Sequence, residues 1–168
     1  ENNFATDPVN SIRMHAVVKH GVSDAAENHL EDVDNPMIFS IELESGKVTD
    51  QKSSGRCWLF AGLNTMRYEI MRKLNLKTFE LSQNYQMFYD KLEKANYFLE
   101  SVLKTLDEPL DGRLVSFLLQ NPMQDGGQWD MFAALVDKYG CVPKSVMPET
   151  FHSSATGEMV HLLTVKLR

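Results

Sequence analysis

Between Cys57 and Leu74 the apolar residues Leu59, Leu63, Met66, Ile70 and Leu74 recur at intervals of 4, 3, 4 and 4. That is the period of one face of an α-helix. A stripe this continuous has to be buried against other elements, so the segment predicts a central helix around which the remaining chain packs. Phe60, Ala61 and Gly62 add apolar or small side chains beside the stripe. The helix is entered from a polar loop rich in Gly and Ser, ESGKVTDQKSSGR, and its first residue is a cysteine.

Other segments are read around this one. Asp7 is a candidate N-cap, Pro8 suits the first helical position and Gly21 is a stop, predicting a helix over 8–20. The β-branched and aromatic run Met37–Leu43 after Asn35-Pro36 predicts a strand. Ser82 can cap a long helix in which Tyr85, Phe88, Leu92, Leu99, Val102 and Leu106 form the expected apolar face. A short helix in DGRLVSFLLQNP is closed by Pro122, and another in GGQWDMFAALVDKYG is stopped by Gly140. CVPKSVMPET is extended. The closing segment SSATGEMVHLLTVKLR opens with Ser and Thr caps and becomes amphipathic up to Arg168. The unstopped last helix and the absence of an initiator Met lead us to expect a piece of a longer product.

The 168 residues suit one domain, and 43% apolar residues suffice for a core. A formal charge of −6 without a basic run argues against nucleic acid as a partner. No stretch reaches the ~20 apolar residues that span a bilayer, and the polar start ENNFATDPVN does not read as a signal peptide. Cys57 and Cys141 lie too far apart in sequence to suggest a disulfide framework, which places the protein in a reducing compartment, the cytoplasm.

A cysteine in the first turn of a buried helix faces unpaired N–H groups and the positive end of the helix dipole. Both favour an anion there, and the thiolate is the nucleophilic form of cysteine. The Ser-Gly-Arg loop before Cys57 allows close approach of a substrate. Gln51, six positions upstream, is near enough for its amide to form an oxyanion hole with the Cys57 N–H. The plainer alternative is a cysteine that packs in a core.

The segment Gln51-x5-Cys57-Trp58, QKSSGRCW, resembles the active-site stretch of papain-like cysteine peptidases, and within them the bleomycin hydrolase and bacterial aminopeptidase C branch. Ser54 stands where secreted relatives carry a disulfide-bonded cysteine, as in the cytoplasmic branch. ELSQNY (Glu80–Tyr85), FSIELESGKVTDQ and DGGQWDMFAALVDKYGCVPKSVMPE (Asp125–Glu149) extend the resemblance over roughly residues 8–168. It implies an α+β papain-like fold, represented here mainly by its helical half. Gly126 and Gly127 would line the cleft and pair with the substrate backbone, which can lie close where no Cβ intervenes. Trp58 and Trp129 are expected to pack behind their motifs, Cys141 to be structural, and the role of Arg56 is open.

Papain-like catalysis also needs a His and an Asn, about 130–150 residues beyond the cysteine. That range lies past Arg168. His15, His20 and His29 precede the nucleophile, and His152 and His161 fall where the family has no catalytic His. The chain is therefore expected to be the N-terminal, helical portion of a thiol aminopeptidase of short peptides, inactive alone, with the β-barrel half absent. The resemblance further implies a homohexamer; no cofactor or metal is expected, and the charge balance and the lack of an apolar span give no expectation of a nucleic-acid or membrane partner. A truncated, non-catalytic peptide-binding relative is the competing reading, and a transferase that accepts an amine is a third.

Overall fold

The computed structural model describes residues 4, 6–28, 38–43 and 46–168. It divides into two units, residues 1–43 and 44–168. In the first unit, helix α1 covers Pro8–Ala26, with the Asp7 carboxylate accepting from the Val9 N–H (2.9 Å) and Pro8 in the first turn. Gly21 leaves the helical conformation (φ 81°) as its sequence position predicts, but the helix resumes and ends at Ala26 instead of stopping there. The strand expected over Met37–Leu43 is not formed. Residues 38–43 are irregular and their apolar side chains are exposed, while Met37 lies outside the described residues.

The second unit is helical. Its elements are α2 (Cys57–Leu74), α3 (Gln83–Lys104), α4 (Arg113–Gln120), α5 (Trp129–Tyr139), the single turn α6 (Phe151–Ser154) and α7 (Gly157–Leu167). Among the described residues there is no strand, only two isolated bridges, Ser53 with Ala155 and Leu81 with Pro143. Helix α2 has the predicted bounds and ends on Asn75 in the left-handed conformation, whose N–H bonds the Met71 carbonyl. It packs on α3 and α5, and α3 in turn contacts α4, α5 and α7.

Leu59, Leu63, Leu81, Met87, Phe132 and Leu135 make the core, with Trp58, Met66, Ile70, Tyr139 and Cys141 packed against it. Helices α2 and α5 approach closely because Gly62 has no side chain. A Cβ there would lie 2.6 Å from the Phe132 ring. The stripe on α2 is thus buried at its N-terminal end, whereas Leu74 at the far end is 65% exposed.

Helix α3 buries a different face from the one read from its apolar spacing, with Met87 and Phe98 as its buried apolar residues. Phe88, Leu92 and Leu99 are exposed, as is Leu106 beyond the end of the helix, and Gln83, Asn84, Gln86, Asp90 and Lys91 are inside. The segment CVPKSVMPET, expected to be extended, instead turns over 144–146, where the Val146 N–H bonds the Pro143 carbonyl (2.9 Å), and α3 supplies donors to carbonyls on either side of that turn. Tyr85 Oη donates to the Tyr139 carbonyl (2.8 Å), Gln86 Nε2 to Gly140 (2.6 Å) and Asn84 Nδ2 to Pro148 (2.7 Å). Ser82 caps α3 through the Tyr85 N–H (3.0 Å), as predicted, and its hydroxyl donates to the Met147 carbonyl (2.5 Å). Burying these amides is tolerable because each satisfies a backbone group that would otherwise be orphaned.

Candidate active site

Cys57 is the first residue of α2 and its side chain is exposed, while Arg56 before it and Leu59 after it are fully buried. The reading of Cys57 as core packing is therefore excluded. The loop that delivers it is fixed along its length. Asp50 accepts from the Lys52 N–H (2.7 Å), and Lys52 itself sits in the left-handed region (φ 55°), an uncommon conformation for a residue with a Cβ. The Ser53 N–H donates to the Ser154 carbonyl (2.9 Å), and Ser54 Oγ donates to the Gln51 carbonyl (2.6 Å).

Arg56 resolves the role that its sequence position leaves open. Its guanidinium makes a bidentate pair with Glu149 (3.0 and 2.9 Å), its Nε donates to Ser54 Oγ (2.8 Å), and its plane lies 5.1 Å from the centre of the Phe60 ring. It anchors the loop to Glu149. Burial works against ionisation of Glu149, but the hydrogen bonds from Arg56 and Ser153 outweigh it and hold the carboxyl below its ordinary range.

The Gly-Gly loop meets the Cys57 loop through Asp125. One Asp125 oxygen accepts from the Gly55 N–H (3.1 Å) and from Thr156 Oγ1, and the other from Lys91 Nζ (2.7 Å). The Asp125 carbonyl accepts from the Trp58 indole N–H (2.9 Å). Desolvation again opposes the charge, and Lys91, Thr156 and Gly55 more than offset it, so this carboxyl is held low as well. Lys94 Nζ closes the arrangement by donating to the Gly126 carbonyl (2.7 Å) and to Asp90 (2.8 Å). Burial dominates at both members of that pair, raising the Asp90 carboxyl and lowering the Lys94 amine against their mutual attraction.

Gly127 lies directly on Trp58, where a Cβ would come within 2.4 Å of the indole, whereas nothing stands within 4 Å of a Cβ built on Gly126. Trp58 thus packs as expected. Trp129 does not: it is 67% exposed and only tilts against Phe132. The amide oxygen of Gln51 is buried and unpartnered, so the loop's own scaffold makes no use of it. Cys141 is half-buried against the core, and burial pushes its thiol up. His15, His20, His152 and His161 are all exposed, and His29 lies outside the described residues. Among the described residues no group of three or more His, Cys, Asp or Glu side chains could hold a metal ion.

An exposed thiol at a helix N-terminus, braced against a Gly-Gly loop, is the arrangement that the resemblance implies. The model of the Peptidase C1-like family matches residues 1–168. The chain belongs to the Peptidase C1-like family. It is 53% identical over 153 residues to aminopeptidase C of Listeria monocytogenes, covering 91% of this chain and 35% of that protein. It is 48% identical to aminopeptidase C of Lactobacillus helveticus, covering 100% of this chain and 37% of that one. Mitochondrial cysteine proteinase 1 of Saccharomyces cerevisiae is 44% identical, over 98% of this chain and 35% of its own.

The crystal structure of PepW from Lactobacillus rhamnosis superposes with a TM-score of 0.89 at 55% identity, covering 99% of this chain and 37% of PepW. The Peptidase C1-like chain therefore has the helical half of the papain-like fold, in the aminopeptidase C branch. It spans about a third of the length of the curated relatives it matches.

Reading the sequence missed the residues that brace this peptidase-family site: Lys91, Lys94, Asp125, Glu149 and Thr156. A signal for part of the set exists. Gln83, Gln86, Asp90, Lys91 and Lys94 recur at helical spacing. A polar stripe of that period is as able to be a buried face as an apolar one, provided that backbone groups await it.

Proposed function

We propose that this chain is the nucleophile-bearing part of a thiol-dependent aminopeptidase that hydrolyses short peptides, with the His and Asn of the site carried by the β-barrel half of a longer protein. The observation that supports it most is the exposure of Cys57 at the start of α2, on a loop whose neighbouring residues are buried or bonded on every side. A loop braced in this way presents the sulfur without exposing its support. The names of the aminopeptidase C relatives agree with this reading.

In the proposed reaction the Cys57 thiolate attacks the carbonyl carbon of the substrate's scissile bond. The oxyanion is stabilised by the Cys57 N–H and the Gln51 amide. The C–N bond breaks as the histidine supplies a proton to the leaving amine. Water then attacks the thioester, giving its proton to the histidine, and restores the thiol. Gly126 and Gly127 receive the peptide backbone as an added strand. The cytoplasmic location and hexameric assembly that the resemblance implies belong to this proposal too.

The test is hydrolysis of aminoacyl amides and short peptides by the complete protein. Cys57→Ser is expected to abolish turnover with the fold unchanged, and turnover that survives it would remove Cys57 from the mechanism. Gln51→Ala is expected to slow the chemical step by roughly 10²–10³-fold. An unaltered rate would exclude Gln51 as an oxyanion donor.

A further inference from the structure

Asp125 joins the nucleophile loop to the substrate loop, and the contacts it makes are of different kinds. Its carboxylate fixes the backbone of Gly55, two residues before Cys57, by accepting that N–H at 3.1 Å. Its carbonyl fixes the side chain of Trp58, the residue after Cys57, at 2.9 Å. Cys57 is thereby gripped on both sides by one residue. The next residue along is Gly126, whose carbonyl is held by Lys94, and then Gly127, pressed on the same indole that Asp125 orients. Thr156 and Lys91 complete the carboxylate's partners, so it cannot turn away without leaving donors unpaired inside the protein. Gly55 also has no room to move toward it, since a Cβ there would stand 2.7 Å from the Asp125 Cβ.

We infer that Asp125 is a positioning residue of the peptidase, setting the distance and angle between the Cys57 sulfur and the peptide held on Gly126–Gly127. The inference rests on the function proposed above. Asp125 touches no reacting atom. It acts through Gly55, Trp58 and the Gly-Gly loop, so that the thiolate meets the carbonyl carbon of a peptide bound in register. Misplacing reacting groups by about 1 Å costs on the order of 10²-fold in rate. The low-held carboxyl fits this role, because a proton on it would remove an acceptor from Gly55 or Lys91.

The deciding experiment measures steady-state hydrolysis of an aminoacyl amide by the complete protein, as wild type, Asp125→Asn and Thr156→Val, with alkylation of each cysteine followed by iodoacetamide and mass spectrometry. For Asp125→Asn we expect kcat and kcat/KM to fall together by about 10²-fold. Cys57 should still label readily, and the half-buried Cys141 should label no faster than in the wild type. Asp125→Asn with wild-type kcat overturns the proposal.

If Cys141 labels markedly faster in Asp125→Asn than in the wild type, that variant has lost its fold and Thr156→Val decides. It removes one donor to the carboxylate and is nearly isosteric. A reduced kcat with Cys141 labelling at the wild-type rate supports positioning, and an unchanged kcat overturns it. Wild-type protein without thiol-dependent turnover defeats the aminopeptidase reading itself, and this proposal with it, an outcome distinct from active wild type with a fully active Asp125 variant.

Discussion

Removing the Glu149 carboxylate is expected to destabilise the chain by about 3 kcal/mol, the lower end of the range for breaking a buried ion pair. The estimate follows from the geometry. The Arg56 side chain is 1% exposed and Glu149 is 23% exposed, so Glu149→Ala leaves a guanidinium with two donors unpaired where water hardly reaches. Partial exposure of Glu149 itself brings the figure down from the upper end. At roughly 2–4 °C per kcal/mol for a chain of this size, the thermal midpoint should fall by about 6–12 °C.

The assay is urea unfolding followed by circular dichroism, with the double variant Arg56→Met, Glu149→Leu beside the single one. If the loss comes from stranding a charge, deleting both charges must recover much of it, because apolar replacement of a buried pair is often neutral or better. A loss below about 1 kcal/mol for Glu149→Ala, as for surface pairs, would refute the reasoning. So would a double variant less stable than the single one.

Further outcomes follow from the same structure. Glu149 and Asp125 both have carboxyls held below their ordinary values of 4.5 and 3.8. Their contributions are complete above those values and are lost as pH falls through the lower folded-state ones, so stability should drop on acidification there. Asp90, raised by burial, works in the opposite sense. Glu149→Gln should flatten part of the acid slope in urea titrations, and an unchanged slope would count against the pair. Gly62→Ala should lower the thermal midpoint, since crowding Phe132 costs about 1–3 kcal/mol against about 1 gained in helix propensity. A raised midpoint would mean that α2 and α5 are not in contact at Gly62. In the folded chain a disulfide exchange reagent should react with one thiol fast, and that phase should vanish in Cys57→Ser. Two equally fast thiols would contradict the half-buried setting of Cys141 beside the exposed Cys57.

The fold was partly legible because local rules decide helix ends. Asp7 and Pro8, Ser82 and Gly140 act at short range through their own backbone and side chains, and each marks the end that the structure shows. The strand expected over Met37–Leu43 failed for the complementary reason. A strand needs a partner to bond, and residues 38–43 have none among the described residues, whatever their β propensity. Helix α3 was oriented wrongly because apolar spacing finds a face and cannot say which face is covered. Here the carbonyls of 139–148 bring the amide side of α3 inward.

The sequence by itself determined where the candidate nucleophile stands at the start of α2, since a cysteine at the first turn of a helix, after a Ser-Gly loop and six residues beyond a glutamine, is a linear pattern. It also determined the family, through motifs in order along the chain. Only the tertiary structure decided what holds that cysteine in place. Arg56 with Glu149, and Asp125 with Gly55, Trp58, Lys91 and Thr156, are separated by 31 to 93 positions. No local rule couples residues so far apart. Their pairing follows from the burial of charges that must then find partners, which is settled only when the helices pack.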